Sequence, residues 1–102
     1  MKDTGLKKEE INMIISVFMK FPQIEKIKLF GSRAKGNYSE RSDIDFTAFR
    51  EKLDRFIIAE ILMELEELDI KYGFELQDYS KIRNSQLIEH IDRIGINFYE
   101  KN

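Results

Sequence analysis

Apolar residues recur along this chain with two different periods, and the switches between them mark out its elements. Leu6, Ile11, Ile14, Ile15 and Phe18 return at helical spacing, which predicts an amphipathic helix over about residues 6–20, ended by Pro22. The stretch IEKIKLF, Ile24 to Phe30, alternates instead. Ile27 and Leu29 share one face and Lys26 and Lys28 the other, as in a strand. Residues Gly31 to Arg41 lose both periods and read as a loop with, at most, one helical turn. Alternation resumes in DIDFTAF, Asp43 to Phe49: Asp43, Asp45 and Thr47 point one way, Ile44, Phe46 and Ala48 the other. Leu53, Ile57, Ile61, Leu65 and Leu68 mark a second helix over about residues 53–69. GFELQD follows a glycine turn as a third strand, with Glu75 and Gln77 opposite Phe74 and Leu76. Leu87, Ile88, Ile91 and Ile94 give a third helix, with Asn84 or Ser85 as N-cap and Gly95 at its end, and INFYE reads as a short last strand. The expected fold class is α+β: a small mixed β-sheet with helices packed on one face.

Length and composition narrow the picture. A chain of 102 residues is expected to form a single domain, 1–102, with no room for a separate acceptor-binding domain. Seventeen basic against nineteen acidic residues give a net charge of −2, which argues against a nucleic-acid binder relying on phosphate neutralisation. There is no Cys and His90 is the only histidine, so any bound metal would be held by oxygen: magnesium, manganese or calcium. No apolar run approaches membrane-spanning length, and MKDTGLKKEE lacks the apolar core of a signal peptide, so a cytoplasmic location and no membrane partner are expected.

Two short features carry chemistry. Asp43 and Asp45, two residues apart on a strand, point to the same face and repel unless a cation lies between them. Taken alone, such a pair is more simply a solvated strand face. Gly31-Ser32 lies directly after a strand, where a glycine admits a ligand close to the backbone and N–H groups at a helix start can bind phosphate. A plain turn with a helix cap would look the same. Together, a phosphate cradle and a carboxylate pair are the two halves of a nucleotide–Mg²⁺ site. Glu75, on the polar face of the third strand, is a candidate third carboxylate, as ligand or as base, or else a solvent-facing strand residue. Asp78 faces the other way and ranks below it.

The joined pattern, Gly31-Ser32-Arg33-Ala34-Lys35-Gly36 and then Ser42-Asp43-Ile44-Asp45-Phe46, resembles the signature of the DNA polymerase β-type nucleotidyltransferase superfamily. It is most similar to the minimal nucleotidyltransferases (MNT), stand-alone domains often found as the antitoxin half of HEPN/MNT toxin–antitoxin pairs. The likeness extends less specifically to SQLIEHIDRIGINFYE. It implies that Gly31 and Ser32 hold the triphosphate, and that Asp43 and Asp45 bind two Mg²⁺ ions, Mn²⁺ being the alternative. Glu75 would stand at the third acidic position, where many small relatives carry Asp. Arg33 and Lys35 would screen phosphate charge, and Ser42 would orient the strand start or contact the nucleotide. Lys35 and Arg41 read equally well as solvent-exposed loop residues.

The implied activity is Mg²⁺-dependent transfer of a nucleoside monophosphate, AMP from ATP, to a hydroxyl acceptor on a HEPN-type partner toxin. That protein adenylyltransferase would act as an antitoxin, in a hetero-oligomer with its target. The alternative is a non-catalytic antitoxin that silences its partner by complex formation, and a third is modification of an RNA end. The helical stripes are expected in the core. Met13, Val17, Phe21, Ile58 and Leu62 fall off those stripes and are expected to form an exposed apolar partner surface. His90 is expected to have a surface or capping role.

Overall fold

The computed structural model describes residues 3–50 and 53–102, so Met1 and Lys2, part of the N-terminal stretch read above, lie outside the described residues. In chain order the elements are α1 (Lys8–Met19), β1 (Lys26–Phe30), α2 (Gly31–Lys35), β2 (Ile44–Phe49), α3 (Arg55–Glu66), β3 (Phe74–Asp78), a 3-10 turn (Tyr79–Lys81), α4 (Ser85–Ile94) and β4 (Ile96–Glu100). The starts of α3 and α4 follow from their capping chemistry. The Asp54 carboxylate accepts the Ile57 N–H at 2.8 Å, and Asn84 Oδ1 accepts those of Gln86 and Leu87, which settles the cap between Asn84 and Ser85.

The strands form one four-stranded mixed sheet in the order β3-β2-β1-β4. β1 runs antiparallel to β2 and β4, while β2 and β3 are parallel and joined through α3. Alternation sorts the faces. Ile27 and Leu29 of β1 and Ile44, Phe46 and Ala48 of β2 are fully buried together with Ile14 and Phe18 of α1 and Ile61 and Leu65 of α3. Phe18 centres this core, edge-on to Phe46 at 5.3 Å and to Phe98 at 6.3 Å between ring centroids. Burying each such ring contributes about 1.5–3 kcal/mol, which fixes the register that presents Asp45 on the other face. The α+β mixed sheet expected from the sequence is what forms. α1 and α3 cover its core face. α4 departs from the expected single helical face: it meets β1 on the other one, where His90 packs on Phe30 and Gly95 lies beside Lys28.

The expected apolar partner surface does not assemble. Val17 and Phe21 are 3% and 6% exposed and belong to the core: Val17 is buried within α1 beside Ile14 and Phe18, and Phe21 folds back through a turn and donates its N–H to the Phe18 carbonyl. Ile58 and Leu62 pack partly against the same core. Among the described residues, the large apolar side chains left exposed are Met19, Phe56 and Met63. Among the described residues no helix is long and apolar enough to cross a membrane.

Candidate active site

The site is built where β1 ends and β2 and β3 begin. β1 passes directly into α2, so the segment expected as a loop opens with a short helix whose first residues are Gly31 and Ser32. Gly31 has φ +74°, a left-handed backbone conformation, and a Cβ on it would overlap the Asp45 carboxylate. Only glycine combines that backbone with that approach. Gly31→Ala is therefore expected to destabilise the fold by about 2–4 kcal/mol, from the left-handed conformation and the overlap together. Urea denaturation measures this, and an alanine protein as stable as the parent would show that the turn is not held this way. The Ser32 carbonyl accepts from Gly36 and Asn37, and Gly36, at φ +95°, ends the helix. The Ser32 N–H and hydroxyl stand at the helix start, where backbone donors lack intrahelical partners.

Asp43 is exposed at the foot of β2 and Asp45 is half-buried two residues on, so both belong to the same sheet face. Glu75 is the register partner of Asp45 in the parallel β2–β3 pair. The sheet thus brings together the three carboxylates singled out in the sequence. The grouping is visible in the charge balance. Burial, and after it the charges of Glu75 and Asp43, push the Asp45 carboxyl up to about 6, with Arg33 pulling the other way. As they stand the three do not close around an ion. Glu75 Oε2 accepts from Gln77 Nε2 at 3.3 Å, along its own strand, and no three His, Cys, Asp or Glu side chains among the described residues are placed to hold a metal. The donor set itself, oxygen only and mutually repelling, suits a hard divalent cation, with Asp43 and Asp45 already side by side.

Arg33 does not project into solvent. It is 1% exposed, and its guanidinium donates from Nε and Nη2 to the Ser42 carbonyl and from Nη1 to the Thr4 carbonyl. The same group lies 4.1 Å from the Tyr72 ring centroid and 5.2 Å from that of Tyr38. Its fork is engaged in tying the residue before Asp43 to the N-terminal segment, an anchoring role in place of the solvent-facing one expected of a loop cation. Ser42 is likewise engaged: its Oγ accepts the Ser39 N–H at 2.9 Å and its N–H donates to the Ser39 carbonyl. Lys35 and Arg41 are exposed. Asp78 is buried on the opposite face, and its Oδ1 accepts from the N–H and hydroxyl of Ser80.

Two site residues were not found by sequence reasoning. Gly73 donates no chemistry, but its carbonyl accepts the Ile44 N–H and a Cβ on it would come within 2.7 Å of Asp43 Oδ1. Its only sequence signal was its place before the third strand. His90 comes from α4 to accept the Gly31 N–H on Nε2 at 3.0 Å, a contact spanning 59 positions that no local pattern announces.

A family model described as polymerase beta, nucleotidyltransferase matches residues 12–102. No curated protein matches the chain significantly. Among solved structures, one of a toxin–antitoxin with AMP-PNP aligns with a TM-score of 0.74 at 23% identity, over 90% of this chain and 74% of that one. One of the toxin–antitoxin MntA–HepT aligns at 0.69 and 21% identity, over 93% and 74%. A tri-AMPylated Shewanella oneidensis HEPN toxin in complex with MNT antitoxin gives 0.70 and 20% identity, over 94% and 74%. At these identities the likeness is one of fold.

Proposed function

The chain belongs to the polymerase beta nucleotidyltransferase family, and on that premise we propose that it transfers AMP from ATP to a hydroxyl group of a HEPN-type partner and so acts as an antitoxin. The observation that carries this reading is the pairing of Asp45 with Glu75 across parallel strands, with Asp43 beside them and the Gly31–Ser32 turn against Asp45. Two structural neighbours, a toxin–antitoxin with AMP-PNP and an AMPylated HEPN toxin in complex with MNT antitoxin, support the choice of nucleotide and partner.

Asp43 and Asp45 would hold Mg²⁺, with Glu75 joining them after turning away from Gln77. When bound, the ions neutralise phosphate charge and polarise the α-phosphorus. The chain's own part is positioning. Ser32 offers its N–H and hydroxyl to the triphosphate at the start of α2, and Gly31 leaves the space. The acceptor hydroxyl oxygen forms a bond to the α-phosphorus, the bond from that phosphorus to the oxygen bridging the β-phosphate breaks, and pyrophosphate leaves. Where it does not join the ions, Glu75 would be the base that takes the hydroxyl proton. Arg33 holds the Ser42 carbonyl from behind, so Asp43 enters the sheet in a fixed orientation.

The test is label transfer from α-labelled ATP to the partner in the presence of Mg²⁺. Labelling is expected with the parent protein and none with Asp43→Asn combined with Asp45→Asn. Labelling that survives the double substitution would sink the assignment. A second reading, silencing by complex formation alone, draws on the Glu75 carboxylate being turned to Gln77. It predicts instead that the doubly substituted protein still neutralises the partner.

A further inference from the structure

We infer that His90 is a positioning residue of the nucleotide turn, an inference that rests on the functional reading above. The Gly31 N–H, the first donor of α2, is not turned toward the open side of the site. It donates to His90 Nε2 at 3.0 Å in a part-buried contact. The imidazole is held edge-on to Phe30, at 6.2 Å between centroids and 80° between planes. Phe30 is itself buried and is the register partner of Asp45. The neighbouring Ile91 is fully buried, so α4 cannot roll to release the ring. Accepting at Nε2 requires the neutral imidazole with its proton on Nδ1.

The consequence is a division of labour within the turn. The Phe30–Gly31 peptide plane is set from one side by His90 and limited from the other by the Asp45 carboxylate, against which Gly31 lies. The Gly31 N–H is spent on His90, so the backbone donor presented to a phosphate is that of Ser32. His90 touches neither nucleotide nor acceptor in this arrangement. It acts through the orientation of Gly31 and Ser32.

The experiment compares His90→Ala with His90→Gln, whose side-chain oxygen can again accept an N–H. It measures amide exchange at Gly31 by ¹⁵N NMR, together with KM for ATP and kcat. His90→Ala is expected to speed Gly31 amide exchange and to raise KM about 5–10-fold, the range of one hydrogen bond, with a smaller change in kcat. His90→Gln is expected to restore both to within about twofold of the parent, for the same reason. A Gly31 amide as protected in His90→Ala as in the parent overturns the inference. So does a loss of thermal stability with KM unchanged, which is the mark of packing alone. Failure of the parent protein to bind ATP would overturn the functional reading, while Gly31 exchange would still decide whether His90 holds the turn.

Discussion

Asp45→Asn is expected to make the unliganded protein more stable at pH 7 while cutting transfer by about 10²–10³-fold. The Asp45 carboxyl is pushed up to about 6 by burial and by the charges of Glu75 and Asp43. The folded state therefore holds its proton more tightly than the unfolded chain does, for which an ordinary carboxylate value near 4 applies. Between about pH 4 and 6 the folded form carries the extra proton, so stability falls as pH rises through that window and levels off above it. Fully expressed, the displacement is worth about 3 kcal/mol. Solvent screening at a half-buried carboxylate leaves about 1–2 kcal/mol. Asparagine has no proton to lose and resembles the neutral acid. The gain of Asp45→Asn over the parent should thus be near zero below pH 4 and reach about 5–10 °C in Tm above pH 6. Thermal melts across that range measure it, and a gain that does not change with pH would show that Asp45 is not crowded by its neighbours. Transfer falls in the same protein because the cluster loses the carboxylate that stands between Asp43 and Glu75. Stability and activity are thus expected to move in opposite directions, since the repulsion among these carboxylates costs the unliganded fold stability that the proposed activity makes use of.

Arg33→Met is expected to cost about 3–5 kcal/mol of folding stability. The substitution removes a buried guanidinium that makes three hydrogen bonds to main-chain oxygens. It leaves the Thr4 and Ser42 carbonyls to find other donors in a place where Thr4 is 2% exposed. It also forfeits the stacking on Tyr72 and Tyr38. Arg33→Lys should recover less than half of this, since a single ammonium cannot reach both carbonyls with fork geometry. Chemical denaturation gives the loss directly. An Arg33→Met protein within about 1 kcal/mol of the parent, less than one charged hydrogen bond is worth, would return Arg33 to the role of a phosphate-facing charge.

That role was the natural reading of a basic residue in a glycine-flanked segment, and the way it fails says what a sequence can carry. The strands and long helices were legible because periodicity repeats over several residues: Asp43, Asp45 and Thr47 against Ile44, Phe46 and Ala48 sets one face of β2 without further help. The pairing of Asp45 with Glu75 was legible as a possibility only, since register is decided by how β2 and β3 lie together and not by either alone. α2 was too short to show a period. Its five residues include Gly31 and two cations, and it forms because Arg33 and Ala34 can turn inward while Gly36 closes its end. Charge alone does not say whether an arginine is solvated or buried among rings and carbonyls. Val17 and Phe21 were misplaced for a related reason. A stripe drawn through Ile14 and Phe18 left out Val17, which lies one turn beyond Ile14 and next to Phe18 and is buried with them, and it cannot reach Phe21, which is brought back by the turn that follows the helix. His90 had no local signature, because its partner is a backbone N–H far away in sequence.

The parallel pairing of β2 and β3 has a bearing on how much this protein can change without losing its site. Neighbouring strands lie about 4.8 Å apart whatever connects them. The separation of Asp45 from Glu75 is therefore a property of one ladder step and not of the chain between them, which travels out through α3 and back. Lengthening or recasting the connection after α3 leaves that step intact so long as the core face of the sheet stays covered. The short path from β1 to β2 has no such latitude, because Arg33, Ser42 and Gly31 bind it at both ends. Diversity acquired by insertion would be tolerated on the long return, and the side of the molecule that carries the Gly31–Ser32 turn would stay nearly constant in length.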